Sequence, residues 1–278
     1  MRSNVFLERS EYEKSIMFDV LNVIDSVHKK DSLNNSIKEH SLLKIDTFDE
    51  YNYIFQLAHK YDDSIAAILY VPECQSSENY YTPLYKGLVF GKKLDFSSFE
   101  DLINFIQSLD RKIGSEYIMK QCLYMEKKII PDDFISYMLH TKDMKSISLL
   151  NETKLPEKIK FSLITLIFNY KEFLNNLVAY LTKIYEEIDK LYNKCKEIYR
   201  YTSRLLKGYL TSNNIENLLL IDVQEKLMNR EMPKKYIVIL SMLRLEYSLI
   251  INNGDNTVFV MGLFYIQRTL HDINFKIF

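Results

Sequence analysis

Hydrophobic and polar positions follow a helical period along most of the chain. Over Ser10–Lys29, apolar residues recur at spacings of three and four, and Ser10 with Glu13 forms a capping box. Residues 1–154 are therefore expected to be helical, apart from an irregular segment around 76–93. The same pattern predicts further helices over Thr47–Tyr61, Phe99–Leu109, Gly114–Lys128, Pro131–His140 and Lys142–Leu150, a helix with Pro156 at its start, and a helix that begins at Asn213.

The longest uninterrupted apolar stripe begins at Leu174. Its steps of three and four continue for more than four heptads, and a helix over Leu174–Leu205 would be about 48 Å long. Two interpretations remain open, an ordinary core face and a self-association surface of a homodimer. The candidate interface residues are Leu174, Leu177, Leu181, Ile184, Ile188, Leu191, Cys195, Ile198 and Leu205, with Thr202 also in the seam.

The hydrophobic period changes near the C-terminus. Tyr236–Met242, Leu245–Ile251 and Thr257–Met261 are rich in β-branched and aromatic residues, and Asn252–Asp255 supplies residues that tolerate a tight turn. An antiparallel hairpin or a three-stranded meander is expected here, followed by a closing helix over Leu263–Ile273.

The predicted fold class is mainly α, a multi-helical protein with one long amphipathic helix and a small antiparallel β-hairpin or meander near the C-terminus. The predicted regions are 1–154, 155–232 with the long helix, and 233–278 with the β-element.

Composition excludes several classes of function. The chain has only 6 glycines, and it contains no glycine-rich dinucleotide or phosphate loop and no nucleophile elbow. A net charge of -1 gives no basic field, so direct nucleic-acid binding by this chain is not expected. No apolar run approaches the roughly 20 residues of a membrane span, and three widely spaced cysteines suggest a reducing compartment. We expect a cytoplasmic protein without membrane contact.

Residues with catalytic or metal-binding chemistry are dispersed. No two histidines have the spacing that places both on one helix face, so no metal is predicted. Asp132 and Asp133 follow a proline at a helix start, where their charge suits the helix dipole. No cofactor and no enzymatic activity are predicted. An enzyme that uses dispersed acids and tyrosines remains an alternative, which predicts a pocket of titratable groups with mutually perturbed pKa values.

Tyrosines are abundant, and three lie in the irregular segment: Tyr80, Tyr81 and Tyr85. A chain without tryptophan must use tyrosine and phenylalanine for bulk, so packing is the simpler interpretation. The alternative is an aromatic pocket for a small organic effector.

Two groups of motifs resemble a known family. Leu155–Lys160, then Asn169–Leu174 and the long helix, resemble the N-terminal region of the large arsenic-repressor-type (ArsR-type) transcriptional regulators of Gram-positive bacteria. Leu245–Ile250 and Thr257–Leu270 resemble the strand, turn, strand and helix that precede the DNA-binding domain of that family. The resemblance covers about Leu155–Leu270.

This resemblance implies a sensor and dimerisation region followed by a winged helix-turn-helix, which residues 1–278 do not contain. The metal-binding cysteine motif of the small arsenic and zinc sensors is also missing. The leading hypothesis is a non-enzymatic regulatory module, a homodimer that responds to a small-molecule or protein effector. The alternative is a helical protein–protein interaction protein with no transcriptional role.

Overall fold

The computed structural model describes residues 5–6, 11–28, 70–72, 81–83, 98–123, 129–212, 215–218, 235–242, 248–253, 256–263, 265–267 and 269–270. In this part the chain is mainly α-helical with a small β-sheet near the C-terminus, and the predicted fold class is confirmed. The helices are α1 (Glu11–His28), α2 (Phe99–Ser108), α3 (Arg111–Cys122), α4 (Asp132–Thr141), α5 (Met144–Glu152), α6 (Glu157–Phe168), α7 (Tyr170–Lys194) and α8 (Lys196–Ser212).

Local sequence explains where several helices begin and end. The Asp143 carboxylate caps α5 by accepting a hydrogen bond of 2.9 Å from the Ser146 amide. Pro156 lies directly before α6, where its missing N–H is no loss. Lys142 ends α4 in the left-handed conformation, with φ of 48°. The predicted helix Thr47–Tyr61 lies outside the described residues. So does most of the helix predicted from Asn213, of which only the short 3₁₀ turn Ile215–Leu218 is described.

The predicted long helix is present as α7 and α8, which are separated only by Cys195. The helical hydrogen bonds continue through this residue. The Cys195 amide donates to the Leu191 carbonyl and the Tyr199 amide donates to the Cys195 carbonyl, both at 3.0 Å. The two helices have 25 and 17 residues, so most of the predicted length is helical.

The C-terminal sheet contains β1 (Val5–Phe6), β4 (Lys235–Ser241), β5 (Ser248–Asn253) and β6 (Asn256–Gly262) in the order β1-β4-β6-β5. The predicted hairpin is confirmed, since β5 and β6 pair antiparallel. A meander is not formed, because β4 pairs parallel with β6. The apolar centres of β4 and β6 are buried, which favours central positions in the sheet and leaves β5 at the edge.

A second, two-stranded sheet pairs β2 (Tyr70–Pro72) antiparallel with β3 (Tyr81–Pro83). The strand β3 lies within 76–93, the segment predicted to be irregular, and the other residues of that segment lie outside the described residues. The sequence did not predict β3, because a strand of three residues is stabilised by its partner rather than by its own hydrophobic period.

The chain divides into two compact units. One contains Met1–Ile54, Lys93–Phe99 and Tyr185–Phe278, and the other contains Phe55–Lys92 and Glu100–Ile184. In the second unit α3 contacts α4 and α6, and α6 also contacts α4 and α5. In the first unit α1 contacts β4. The sequence regions bounded at 154 and 232 remain a prediction.

Candidate functional site

A buried polar cluster joins α1, α7 and β4 in the unit that contains the C-terminal sheet. At its centre is Asp19, a fully buried carboxylate on α1. The Tyr192 hydroxyl donates to Asp19 Oδ2 at 2.6 Å, and the Met242 amide donates to the same oxygen at 2.8 Å. The Ser241 hydroxyl donates to Asp19 Oδ1. Three donors from two distant parts of the chain therefore converge on one carboxylate, which we call the Asp19 cluster.

The electrostatics of the Asp19 cluster keep the Tyr192 hydroxyl protonated and do not suit it to proton transfer. Burial, followed by the negative charge of Asp19, raises the pKa of Tyr192 well above its ordinary value. The hydroxyl therefore stays protonated near neutral pH and remains a hydrogen-bond donor. A general acid or base works best with a pKa near the working pH. The Asp19 cluster is accordingly suited to fixing α1 against α7 and β4.

Tyr12 and Tyr199 pack against the Tyr192 ring of this cluster. The Tyr12 ring makes edge contacts with Tyr192 and Tyr199, with centroids 5.4 and 5.3 Å apart. The hydroxyls of Tyr199 and Ser15 are hydrogen-bonded at 2.8 Å, and Lys196 Nζ lies 5.8 Å from the centroid of the Tyr12 ring. Aromatic pairs of this geometry contribute about 0.5–1.5 kcal/mol beyond the area that they bury.

The Tyr12 hydroxyl is buried and has no hydrogen-bond partner among the described residues. Burial, followed by the charge of Asp189, raises the pKa of Tyr12 to about 12. Two tyrosines of the long helix, Tyr192 and Tyr199, thus converge. Their rings pack against each other and against Tyr12.

No cluster of three or more His, Cys, Asp or Glu side chains suited to a metal ion occurs in the described ranges. The two cysteines described there, Cys122 and Cys195, are buried thiols. Burial raises the pKa of Cys122 to about 12, which leaves it protonated and unreactive.

The predicted interface residues lie mainly in the interior of the single chain. Only Ile198, which is 36% exposed, and the half-buried Leu205 are accessible among the nine, and Thr202 is buried as well. A second copy could reach the rest only if α7 left its core. The stripe is thus a core face, which is one of the two interpretations that the sequence left open. Its buried members are Leu174, Leu177, Leu181, Ile184, Ile188, Leu191 and Cys195.

The predicted effector-pocket residues are only partly described. Tyr81 is the first residue of β3. Tyr80 and Tyr85 lie outside the described residues, so the pocket stays a prediction.

Large apolar side chains are exposed on α5, α6 and α8, and of these the sequence marked only Ile198 on α8 as a candidate interface residue. On α6, Phe161 is 64% exposed and Phe168 is 38% exposed. On α8, Tyr201 is 59% exposed and lies next to Ile198 along the helix surface. We call these the α6 outer face and the α8 outer face. Side chains of this size in water are candidates for contact with another protein.

Sequence signals for these features exist but are weak. Asp19 lies three residues after Ile16 and seven after Tyr12, so it interrupts the apolar stripe of α1 at a helical position. Phe161 and Phe168 are seven residues apart, which places them on one side of α6. Neither spacing indicates whether the face meets the same chain or another one.

No family model, curated protein or solved structure matches the chain. No helix in the described part of the chain combines the length and apolar character that crossing a bilayer requires.

Proposed function

We propose that this chain is a non-enzymatic regulatory module, the effector-sensing and dimerisation region of a transcriptional regulator whose winged helix lies outside residues 1–278. The observation that carries the proposal is the α6 outer face, where two phenylalanine rings point away from a well-packed core. The resemblance over Leu155–Leu270 supplies the transcriptional context.

The α6 outer face is self-complementary. Phe161 and Phe168 lie two turns apart, so in an antiparallel pair of α6 helices each Phe161 meets Phe168 of the second copy. Burying a phenylalanine side chain stabilises by about 1.5–3 kcal/mol, which makes this pair a suitable centre for a dimer contact.

A path for regulation runs through the inner side of α8. The Gln267 amide donates to the Thr202 hydroxyl of α8 at 2.6 Å, and Tyr265 donates at 2.7 Å to the carbonyl of Leu218, in the 3₁₀ turn that follows α8. The resemblance places the DNA-binding domain directly after the segment that holds Gln267 and Tyr265. An effector that displaces α8 would therefore shift the residues that lead to the DNA reader.

Sedimentation equilibrium of the full chain tests the dimer. We expect the wild type to dimerise with rising concentration and the double variant Phe161→Glu/Phe168→Glu to remain monomeric with an unchanged circular-dichroism spectrum. Ile198→Glu/Tyr201→Glu is the matched control, because it places the same two charges on the α8 outer face and should still dimerise. A wild type that stays monomeric at all concentrations, or a double variant that dimerises normally, would contradict the proposal.

The second candidate, a helical interaction protein with no transcriptional role, is favoured by the same exposed phenylalanines, which require a partner but no DNA. The reading frame beyond codon 278 separates the two candidates. An in-frame winged helix supports the regulator, and its absence supports the interaction protein.

A further inference from the structure

The α8 outer face carries a basic stripe. Arg200, Arg204 and Lys207 are exposed and separated by four and three residues, so they line one side of the helix. Across α8 there are four basic residues and a single acid, Glu197, whose carboxylate pairs with Arg200 Nη1 at 2.7 Å. This helix is therefore strongly positive within a chain of nearly neutral net charge.

An apolar strip runs beside the basic stripe. Ile198, Tyr201 and Leu205 follow one another at steps of three and four, the first two exposed and the third half-buried. The opposite side of α8 is buried, with Tyr199, Thr202, Ser203 and Leu206 turned inward. The outer face thus offers two parallel strips along one axis, one apolar and one basic.

Gly208 leaves a notch in this face. It is exposed and lies inside the helix, and a Cβ placed on it would meet nothing within 4 Å. Glycine weakens a helix relative to alanine, and nothing in the described surroundings requires it for packing. A position without a side chain allows the backbone of a partner to approach closely.

We propose that the α8 outer face binds an acidic amphipathic helix of a protein partner, whose carboxylates meet Arg204 and whose apolar residues cover Tyr201 and Ile198. The inference rests on the proposed function, because it names the class of effector that a regulatory module of this shape would sense. The Gly208 notch fits a helix that packs closely against α8.

Other occupants fit the face less well. A nucleic acid would contact the arginines through its phosphates but would leave Ile198 and Leu205 without an apolar partner. A second copy of α8 would bring two basic stripes together, which is unfavourable. An acidic helix with its own apolar strip pairs its carboxylates with the basic stripe and buries the apolar strip at the same time.

The test is fluorescence anisotropy with the full chain and a labelled synthetic peptide of three heptads, leucine at positions a and d and glutamate at e and g. We expect salt-sensitive binding that is weakened on the order of tenfold by Arg204→Glu. We expect a similar loss for Gly208→Leu, which fills the notch and whose Cβ enters open space in the fold. The matched peptide with lysine in place of glutamate should not bind.

Several results would overturn the inference. These are no binding of the acidic peptide, binding that neither variant weakens, or tighter binding of a single-stranded oligonucleotide or of vesicles with anionic lipid. Unfolding temperatures of both variants establish that they fold. Their dimerisation, measured by sedimentation, should match the wild type, so a failure at α8 is distinguishable from a failure of the α6 dimer.

Discussion

The inner sides of α7 and α8 and the outer sides of α6 and α8 both carry apolar residues at helical spacing, yet they meet different surroundings. The stripe from Leu174 to Leu191 is buried in the chain, whereas Phe161 and Tyr201 face solvent. The inner region also holds the Asp19 cluster, in which a buried charge is satisfied by three donors. A hydrophobic period therefore identifies the apolar face of a helix, but it does not show whether that face packs within the same chain or against another protein. Substitutions at inner positions should therefore change stability, and those at outer positions should change association.

The largest effect is expected at Asp19. Asp19→Asn replaces one acceptor oxygen by an NH₂ group that faces donors, so at least one buried donor loses its partner. We expect a loss of about 3 kcal/mol in the free energy of unfolding. Urea denaturation measures it, and Asp133→Asn, the same change at an exposed carboxylate, should alter stability by less than about 0.5 kcal/mol. Equal losses for both variants would remove the distinction between inner and outer positions.

The two glycines described within helices, Gly114 in α3 and Gly208 in α8, should respond to alanine substitution with opposite changes in stability. A Cβ at Gly114 would collide with the Tyr170 hydroxyl, which donates to the Leu109 carbonyl at 3.2 Å. Gly114→Ala should therefore destabilise by about 2 kcal/mol. Gly208→Ala should stabilise by up to about 1 kcal/mol, because alanine is the better helix former and its methyl group enters open space.

Thermal unfolding of both alanine variants provides the comparison. Removing the Tyr170 hydroxyl in a Gly114→Ala/Tyr170→Phe double variant should recover part of the loss, because the colliding atom is gone. If both glycine substitutions move the midpoint of thermal unfolding in the same direction, then the packing around each glycine does not determine how its substitution changes stability.

The smallest effect is a pH dependence at high pH. Burial raises the pKa of Tyr12 and of Tyr170 to about 12, above the value of 10.0 for the free side chain. Between these values the unfolded chain loses the phenolic proton and the folded chain keeps it. The contribution of these two hydroxyls to the free energy of unfolding is therefore fully present below pH 10 and is lost as the pH rises towards 12.

Unfolding measured in urea between pH 9 and pH 12 tests this effect. Tyr12→Phe and Tyr170→Phe should each make the fall shallower, since each removes one shifted group. A slope equal to that of the wild type in both variants would show that these hydroxyls ionise as they do in the unfolded chain.

Local signals made the helices predictable. The apolar period and the acidic first turn placed α2 within one residue of its end, and the Pro131 start placed α4 equally well. The hairpin β5–β6 was predictable for the same reason, because its turn residues are adjacent in sequence. The parallel pairing of β4 with β6 was not, since no local rule fixes which strand takes the centre of a sheet.

The Asp19 cluster required knowledge of distant contacts. Asp19 meets Tyr192 and Ser241 across 173 and 222 residues of sequence, respectively. The sequence marked Asp19 only as a charge within an apolar stripe. The exposure of Phe161 could not be predicted from the sequence either. A phenylalanine on a core-facing side of a helix and one on a partner-binding side occur at the same helical spacing.

Hydrogen–deuterium exchange of the full chain at low and high protein concentration shows which helix a second copy covers. We expect the amides of 161–168 to become more protected as concentration rises, while those of 174–191 are slow throughout and do not change. Protection that increases at 174–191 instead would contradict this expectation, because the buried stripe would then be the surface that a second copy covers.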